Sequence, residues 1–168
     1  MDLDELRLAA LKGRLDKVRL LLQRIPVDQV LRSGWTALMY AASGGQWKVV
    51  EYLLENGANP NFHKELFTPL MAACASSSDN EDDLTSTVEA LLKNGAKVNA
   101  AERHRVTPLM FSSKERRLKL VKALLANGAD PNLQDNRGWT VIAILQSLRV
   151  TCQSLSLKLI GAKWEKML

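Results

Sequence analysis

Two cysteines and two histidines in 168 residues leave this sequence almost nothing with which to bind a metal or build a disulfide framework. His63 and His104 stand singly and far apart, so neither a metal constellation nor a cofactor is expected. Also missing is any apolar run near the ~20 residues that span a bilayer. The start, MDLDELRLAALKG, lacks the basic flank and apolar core of a secretory signal. The chain is therefore expected to be soluble and cytoplasmic, with no membrane insertion. Paired carboxylates, a nucleophile beside a base and a glycine-rich phosphate loop are absent too, so neither catalysis nor a small-molecule substrate is expected.

What the sequence does contain is punctuation. In Gly34 to Asn61, Thr36 reads as a hydroxyl N-cap, and Leu38, Met39, Ala41 and Ala42 give the following helix a thin apolar face. Gly44 and Gly45 break it. Val49, Val50, Leu53 and Leu54 mark a second helix, Gly57 ends it, and Asn59, Pro60 and Asn61 lead the chain out through a loop. Thr36, Thr68, Thr107 and Thr140 recur at spacings of 32, 39 and 33 residues, and Gly57, Gly95, Gly128 and Gly161 close the same units. With Thr68-Pro69-Leu70, Thr107-Pro108-Leu109 and the Asn-Gly-Ala closures at 94 and 127, the chain resembles the ankyrin-repeat family, whose period is about 33 residues. The expected fold is an all-α ankyrin-repeat solenoid of about five helix-turn-helix repeats with β-hairpin-like fingers. One domain is expected over 1–168, with repeats roughly at 1–30, 31–62, 63–101, 102–134 and 135–168.

Residues 2–24 fit the repeat at an offset of 32, with Asp4 in place of the capping threonine and a polar outer side suited to a terminal cap. The third repeat carries a six-residue expansion around Ser76 to Leu84. Asp82 and Asp83 are expected just before its second helix, where negative charge complements the helix dipole. The loop reads first as a solvated turn; Ser78 with Glu81 also fits an acidophilic kinase, while the spacing of a calcium loop is missing. In the fourth repeat Phe111-Ser112-Ser113 replaces the usual aromatic-Ala-Ala and Arg116 stands at the register of Gly45, so a strained or reshaped turn is expected. A worn second helix over Cys152 to Ile160, with Gln153 and Ser154 at its paired-valine positions, marks a C-terminal cap, and Trp164 is expected to fold back over its end. Cys74 and Cys152 lie two repeats apart, too far for a disulfide, and Cys74 continues a small helix face as a core thiol in a reducing compartment.

Function is expected on the concave groove that such stacks present to protein partners. From the fingers come Arg32, Trp35, Lys64, Phe67, Arg103, His104, Val106, Arg137 and Trp139; from the first helices come Ser43, Ala75, Lys114, Glu115 and Gln146. Trp35, Phe67, Val106 and Trp139 form an apolar row interleaved with Arg32, Lys64, Arg103 and Arg137, and aromatics beside arginines are hot-spot chemistry. The blander alternative is that each ring packs on its own finger. Met39, Met71 and Met110, where most ankyrin repeats carry histidine, are assigned to the core. Charge is uneven: residues 1–100 hold 11 basic and 13 acidic side chains, 101–168 hold 12 and 5. Lys114, Arg116, Arg117, Lys119 and Lys122 form an alternative basic patch that would suit RNA, an anionic surface or an acidic protein, or be a solvated surface with no partner.

Gly34-Trp35-Thr36-Ala37-Leu38-Met39-Tyr40-Ala41-Ala42-Ser43, Thr68-Pro69-Leu70-Met71-Ala72-Ala73-Cys74 with its acidic insertion, and Thr107-Pro108-Leu109-Met110 resemble, within the ankyrin proteins, the germ-cell family that joins ankyrin repeats to a SAM domain and a basic leucine zipper. That resemblance implies a scaffold in germ granules at the mitochondrial outer surface, gathering other piRNA-pathway proteins for transposon silencing. It brings no catalytic residues. The resemblance covers the ankyrin portion alone, so no SAM domain, zipper or membrane anchor is expected within these 168 residues, and Phe111-Ser112-Ser113 departs from the family's pattern.

Overall fold

The computed structural model describes residues 2–147. Gly161, the segment Cys152 to Ile160 and Trp164 lie outside the described residues. Nine helices run through the described part: α1 (Asp2–Leu11), α2 (Leu15–Leu21), α3 (Ala37–Ser43), α4 (Trp47–Glu55), α5 (Pro69–Cys74), α6 (Glu81–Lys93), α7 (Pro108–Lys114), α8 (Leu118–Ala126) and α9 (Val141–Ser147). They pack in two layers. The odd-numbered helices stack on one another from α1 to α9, and α2, α4, α6 and α8 form the second layer behind them.

Local chemistry sets each boundary. Thr36, Thr68 and Thr107 adopt extended backbone and their hydroxyls accept from Met39 N, Met71 N and Met110 N at 3.5, 3.3 and 3.4 Å, which satisfies one orphan donor of each first turn. Pro69 and Pro108 take the first helical position, where no donor is needed. At the other end Gly57 holds φ +86°, so that Ala58 N reaches Leu53 O and Gly57 N reaches Leu54 O, both at 3.0 Å. The same closure recurs after α6 and α8.

The odd-numbered helices are short and faced with small residues because both neighbours press on them. Ala37, Leu38, Met39, Ala41 and Ala42 are fully buried, as are Met71 and, to 1% exposure, Met110, so the three methionines are core residues. Asn61 and Asn99 do more than turn the chain. Asn61 donates to Gly95 O and accepts from Lys97 N, each at 2.9 Å, and Asn99 makes the equivalent pair with Gly128 O and Asp130 N, so each side chain ties its loop to the next repeat.

Two helix starts differ from expectation. Asp4 lies inside the first turn of α1 rather than capping it, near Arg32 at 3.7 Å; the helix already begins at Asp2 because an acidic Asp2-Leu3-Asp4-Glu5 turn suits the dipole. Asp82 and Asp83 likewise lie within α6. Asn80 caps that helix by accepting from Asp83 N at 3.1 Å, so most of the six-residue expansion is absorbed as an extra N-terminal turn. The remainder folds onto the stack: buried Ser76 donates to Ser43 O at 2.6 Å, and Arg117 Nη2 donates to Ser76 O at 2.9 Å.

The fingers contain no strands among the described residues; each is a turn closed by main-chain bonds, such as Phe67 N to Lys64 O at 2.8 Å and Lys64 N to Phe67 O at 3.1 Å. The turn in the fourth repeat keeps the shape of its glycine counterpart, with Arg116 at φ +57° where Gly45 has +67°. It is strained rather than reshaped. Ser112 and Ser113 are buried and satisfy themselves by donating to Pro108 O and Leu109 O, which is how hydroxyls occupy alanine positions.

One buried hydroxyl in α6 has no such outlet. Thr87 is fully buried and its Oγ1 has no hydrogen-bond partner among the described residues. Thr87→Val keeps the branched shape and removes the unsatisfied oxygen, so stability should rise by about 1 kcal/mol. A higher urea midpoint with an unchanged slope is the expected record; a lower midpoint would show that the hydroxyl is satisfied.

Candidate functional site

The face on which partner binding was expected combines finger residues with residues of the odd-numbered helices. Its first feature is a continuous line of rings. Trp35 stacks on Phe67 with centroids 5.8 Å apart and planes at 18°, Phe67 meets Phe111 edge-on at 5.8 Å, and Trp35 leans on Tyr40 at 5.2 Å. Offset and edge-to-face pairs of this kind add about 0.5–1.5 kcal/mol each beyond their burial. The rings are half-buried, packed against the core beneath and open to the groove above. The row thus joins neighbouring repeats rather than keeping each ring on its own finger.

Tyr40 and Phe111 were not among the residues expected here. They share one register, four residues after the capping threonine, where the helix edge turns toward the fingers; that common register was the available signal. Val106 is half-buried but the line bypasses it for Phe111. Trp139 stands apart from the ladder and is 43% exposed.

The finger cations are less free than their spacing suggests. Arg32 approaches Asp4 at 3.7 Å and Arg103 pairs with Glu65 at 3.2 Å. Lys64 lies across Gly34, where a Cβ would meet its Cδ at 2.7 Å, and donates to Ser33 O. Exposed pairs of this sort contribute about 0–1 kcal/mol, but they do set where uncompensated charge remains. Between Trp35, Phe67 and finger residues Lys64, Glu65, Glu102, Arg103 and His104 lies an open depression of about 390 Å³.

A second cavity, of about 420 Å³, lies between the fourth and fifth repeats. Val106, Met110, Phe111, Ile144 and Trp139 supply apolar wall, while His104, Lys114 and Arg137 stand at its polar side with Glu102 and Asp135. The structure therefore brings His104, Val106, Lys114, Arg137 and Trp139 together, and separately Trp35, Lys64, Phe67, Arg103 and His104. Ser43 and Ala75 are half-buried at helix ends and line neither cavity; Glu115 is the C-cap of α7, and Gln146 falls near the end of the described span.

The alternative basic patch is divided. Lys114 faces the second cavity, whereas Arg116, Arg117, Lys119 and Lys122 belong to the turn and helix behind it. There the acidic insertion meets them. Lys119 Nζ pairs with Asp82 at 2.5 Å and Lys119 N donates to Glu81 at 2.9 Å, and the hydrogen bond to Asp82 holds the ammonium above its ordinary pKa. Half-buried Arg117 is occupied by Ser76 O. The aromatic ladder and the positive charge thus do not coincide except near Lys114. Among the described residues no group of three or more His, Cys, Asp or Glu could hold a metal, and no helix is long and apolar enough to cross a membrane.

Comparison with known proteins agrees with this architecture. One family model described as ankyrin repeats (3 copies) matches residues 6–102, and another, ankyrin repeats (many copies), matches residues 91–145. Among curated proteins, the ankyrin repeat, SAM and basic leucine zipper domain-containing protein 1 of Ornithorhynchus anatinus is 44% identical over 101 residues, covering 60% of this chain and 21% of that protein. Its counterpart in Dasypus novemcinctus is 40% identical over 106 residues (63% and 22%), and that of Mus musculus 40% over 97 (58% and 20%). The matched stretch spans about a fifth of these relatives' own length.

Proposed function

Because this chain belongs to the ankyrin-repeat family, whose repeats are protein-interaction modules rather than catalytic ones, we propose that it is a scaffold that binds a partner protein through its concave face. The observation that carries this reading is the ladder Tyr40, Trp35, Phe67 and Phe111, four half-buried rings from three repeats exposed along one groove beside Trp139. Aromatic groups packed from below and open above are where binding energy concentrates.

The likeness to ankyrin, SAM and basic leucine zipper proteins supports a narrower version of the same proposal: a germline scaffold at the mitochondrial surface, whose partners are other proteins of piRNA biogenesis and transposon silencing. The likeness covers ankyrin repeats alone, so self-association and membrane anchoring are not carried over to this chain.

Photo-crosslinking from the groove in germ cells identifies the partner. Trp35→Ala and Trp139→Ala are then each expected to weaken its binding by about 2 kcal/mol. Unchanged affinity in both variants would move the site off the concave face. The same samples titrated with single-stranded RNA at two salt concentrations test the competing reading; steep salt dependence abolished by reversing Arg116, Arg117 and Lys119 to glutamate would favour RNA instead.

A further inference from the structure

Around the second cavity the two kinds of charge are held differently. Glu102 Oε1 accepts from His104 N at 2.9 Å and Val106 N at 3.2 Å, and Asp135 Oδ1 accepts from Arg137 N at 2.8 Å and Trp139 N at 2.9 Å. Each carboxylate is thus bound into the turn of its own finger, with amide dipoles answering part of its charge. Lys114 and Arg137 have no carboxylate partner among the described residues, whereas Arg32, Lys64 and Arg103 further up the groove are each tied to a neighbour. The surrounding sequence, 101–147, carries eight basic and four acidic side chains.

A cavity of about 420 Å³ with walls of Val106, Met110, Phe111, Ile144 and Trp139 has room for a large apolar side chain. Pockets of a few hundred Å³ with apolar walls and a few placed polar groups are the usual form of a binding site. Trp139, 43% exposed and outside the ladder, has no ring partner among the described residues. We infer that this cavity is a subsite for an acidic peptide segment of the partner: one aromatic or leucine side chain enters between Trp139 and Phe111, and flanking aspartate or glutamate residues meet Lys114 and Arg137. This rests on the concave-face reading above and deepens it. The ladder at Trp35 and Phe67 lies beyond this subsite, so the two regions are separable by mutation.

The test is panning of a random-peptide library on the full chain. Enriched sequences should place Asp or Glu on either side of a single Trp, Phe or Leu. Binding of an enriched peptide, followed by fluorescence anisotropy, should fall ~10-fold or more in the double reversal Lys114→Glu/Arg137→Glu, equivalent to about 1.4 kcal/mol. It should remain within about twofold in the charge-matched control Lys48→Glu/Lys93→Glu, exposed cations of α4 and α6 that line neither cavity, a change under about 0.5 kcal/mol. Lys114 and Arg137 are exposed, so the reversal leaves the stack intact, and circular dichroism checks this. No enrichment, enrichment of basic or uncharged sequences, or full binding by the double reversal would each overturn the inference. So would a photo-crosslinker at residue 139 joining only to residues 148–168 of the same chain, since that segment would then be the occupant. If the cellular partner crosslinks around Trp35 and Phe67 but not at residue 139, the scaffold reading stands and this inference fails; if no protein crosslinks to the groove at all, both fail.

Discussion

Replacing Gly44 with alanine is expected to destabilise the chain by about 2–3 kcal/mol, the upper range for forcing an extra methyl into a packed seam. Gly44 is the C-cap of α3 at φ −83°, a conformation open to any residue, so the effect is steric alone. A Cβ there would stand 2.3 Å from the carbonyl oxygen of Leu11 and 3.2 Å from its carbon. That oxygen is main chain at the end of α1, and no rotamer relieves it; α1 and α3 have to separate. The contrast is Gly57, where nothing lies within 4 Å and the only obstacle is φ +86°. Gly57→Ala should therefore lose only about 1 kcal/mol. Urea unfolding of the pair separates the two causes, and hydrogen exchange should show α1 and α2 opening first in Gly44→Ala, because a stack loses its terminal repeat before its centre. Equal midpoints for the two variants would mean the first seam is looser than the contact implies.

The repeat architecture was legible because its determinants are local. A threonine cap, an Asn-Gly closure and a two-helix apolar pattern each act within one turn of chain, and their recurrence at about 33 residues left one fold open. What escaped sequence reading depends on neighbours in space. Acidic residues near a helix start serve equally before it or inside its first turn, and only packing decides; Asp4, Asp82 and Asp83 all lie inside. Leu66 and Arg105 hold φ of +70° and +62° at the register where Gly34 and Gly138 sit. Nothing in their chemistry announces that, since the neighbouring fingers impose the turn.

The site was legible in part for the same reason. Spacing placed Trp35, Phe67 and Trp139 on the fingers, but which rings touch depends on how far each finger leans toward the next. Spacing alone assigned Tyr40 and Phe111 no place in the groove, but their shared register points them there, and Phe111 rather than Val106 completes the ladder. Charge misled more. Arg32, Lys64 and Arg103 look like free cations in a one-dimensional reading, and their partners Asp4, Ser33 O and Glu65 come from the preceding repeat. Of the finger cations Arg32, Lys64, Arg103 and Arg137, Arg137 alone lines the second cavity.

Alkaline pH should destabilise this chain through a single buried thiol. Cys74 is fully buried in α5, and burial pushes its pKa from 9.0 to about 12, with the neighbouring Ser112 hydroxyl partly opposing the rise. In the unfolded chain the thiol loses its proton near its ordinary pKa, whereas the folded chain holds it until about pH 12. The folded state thus binds the extra proton in that window. The contribution is fully present below pH ~9 and falls by about 1.4 kcal/mol per pH unit above it, on the order of 4 kcal/mol across the window. Every other group is common to wild type and Cys74→Ala and cancels in the difference. Between pH 9 and 10.5 the stability advantage of wild type over Cys74→Ala should therefore shrink by about 2 kcal/mol. A difference that stays flat over that interval would show that the thiol reaches solvent, and that α5 is not sealed between α3 and α7.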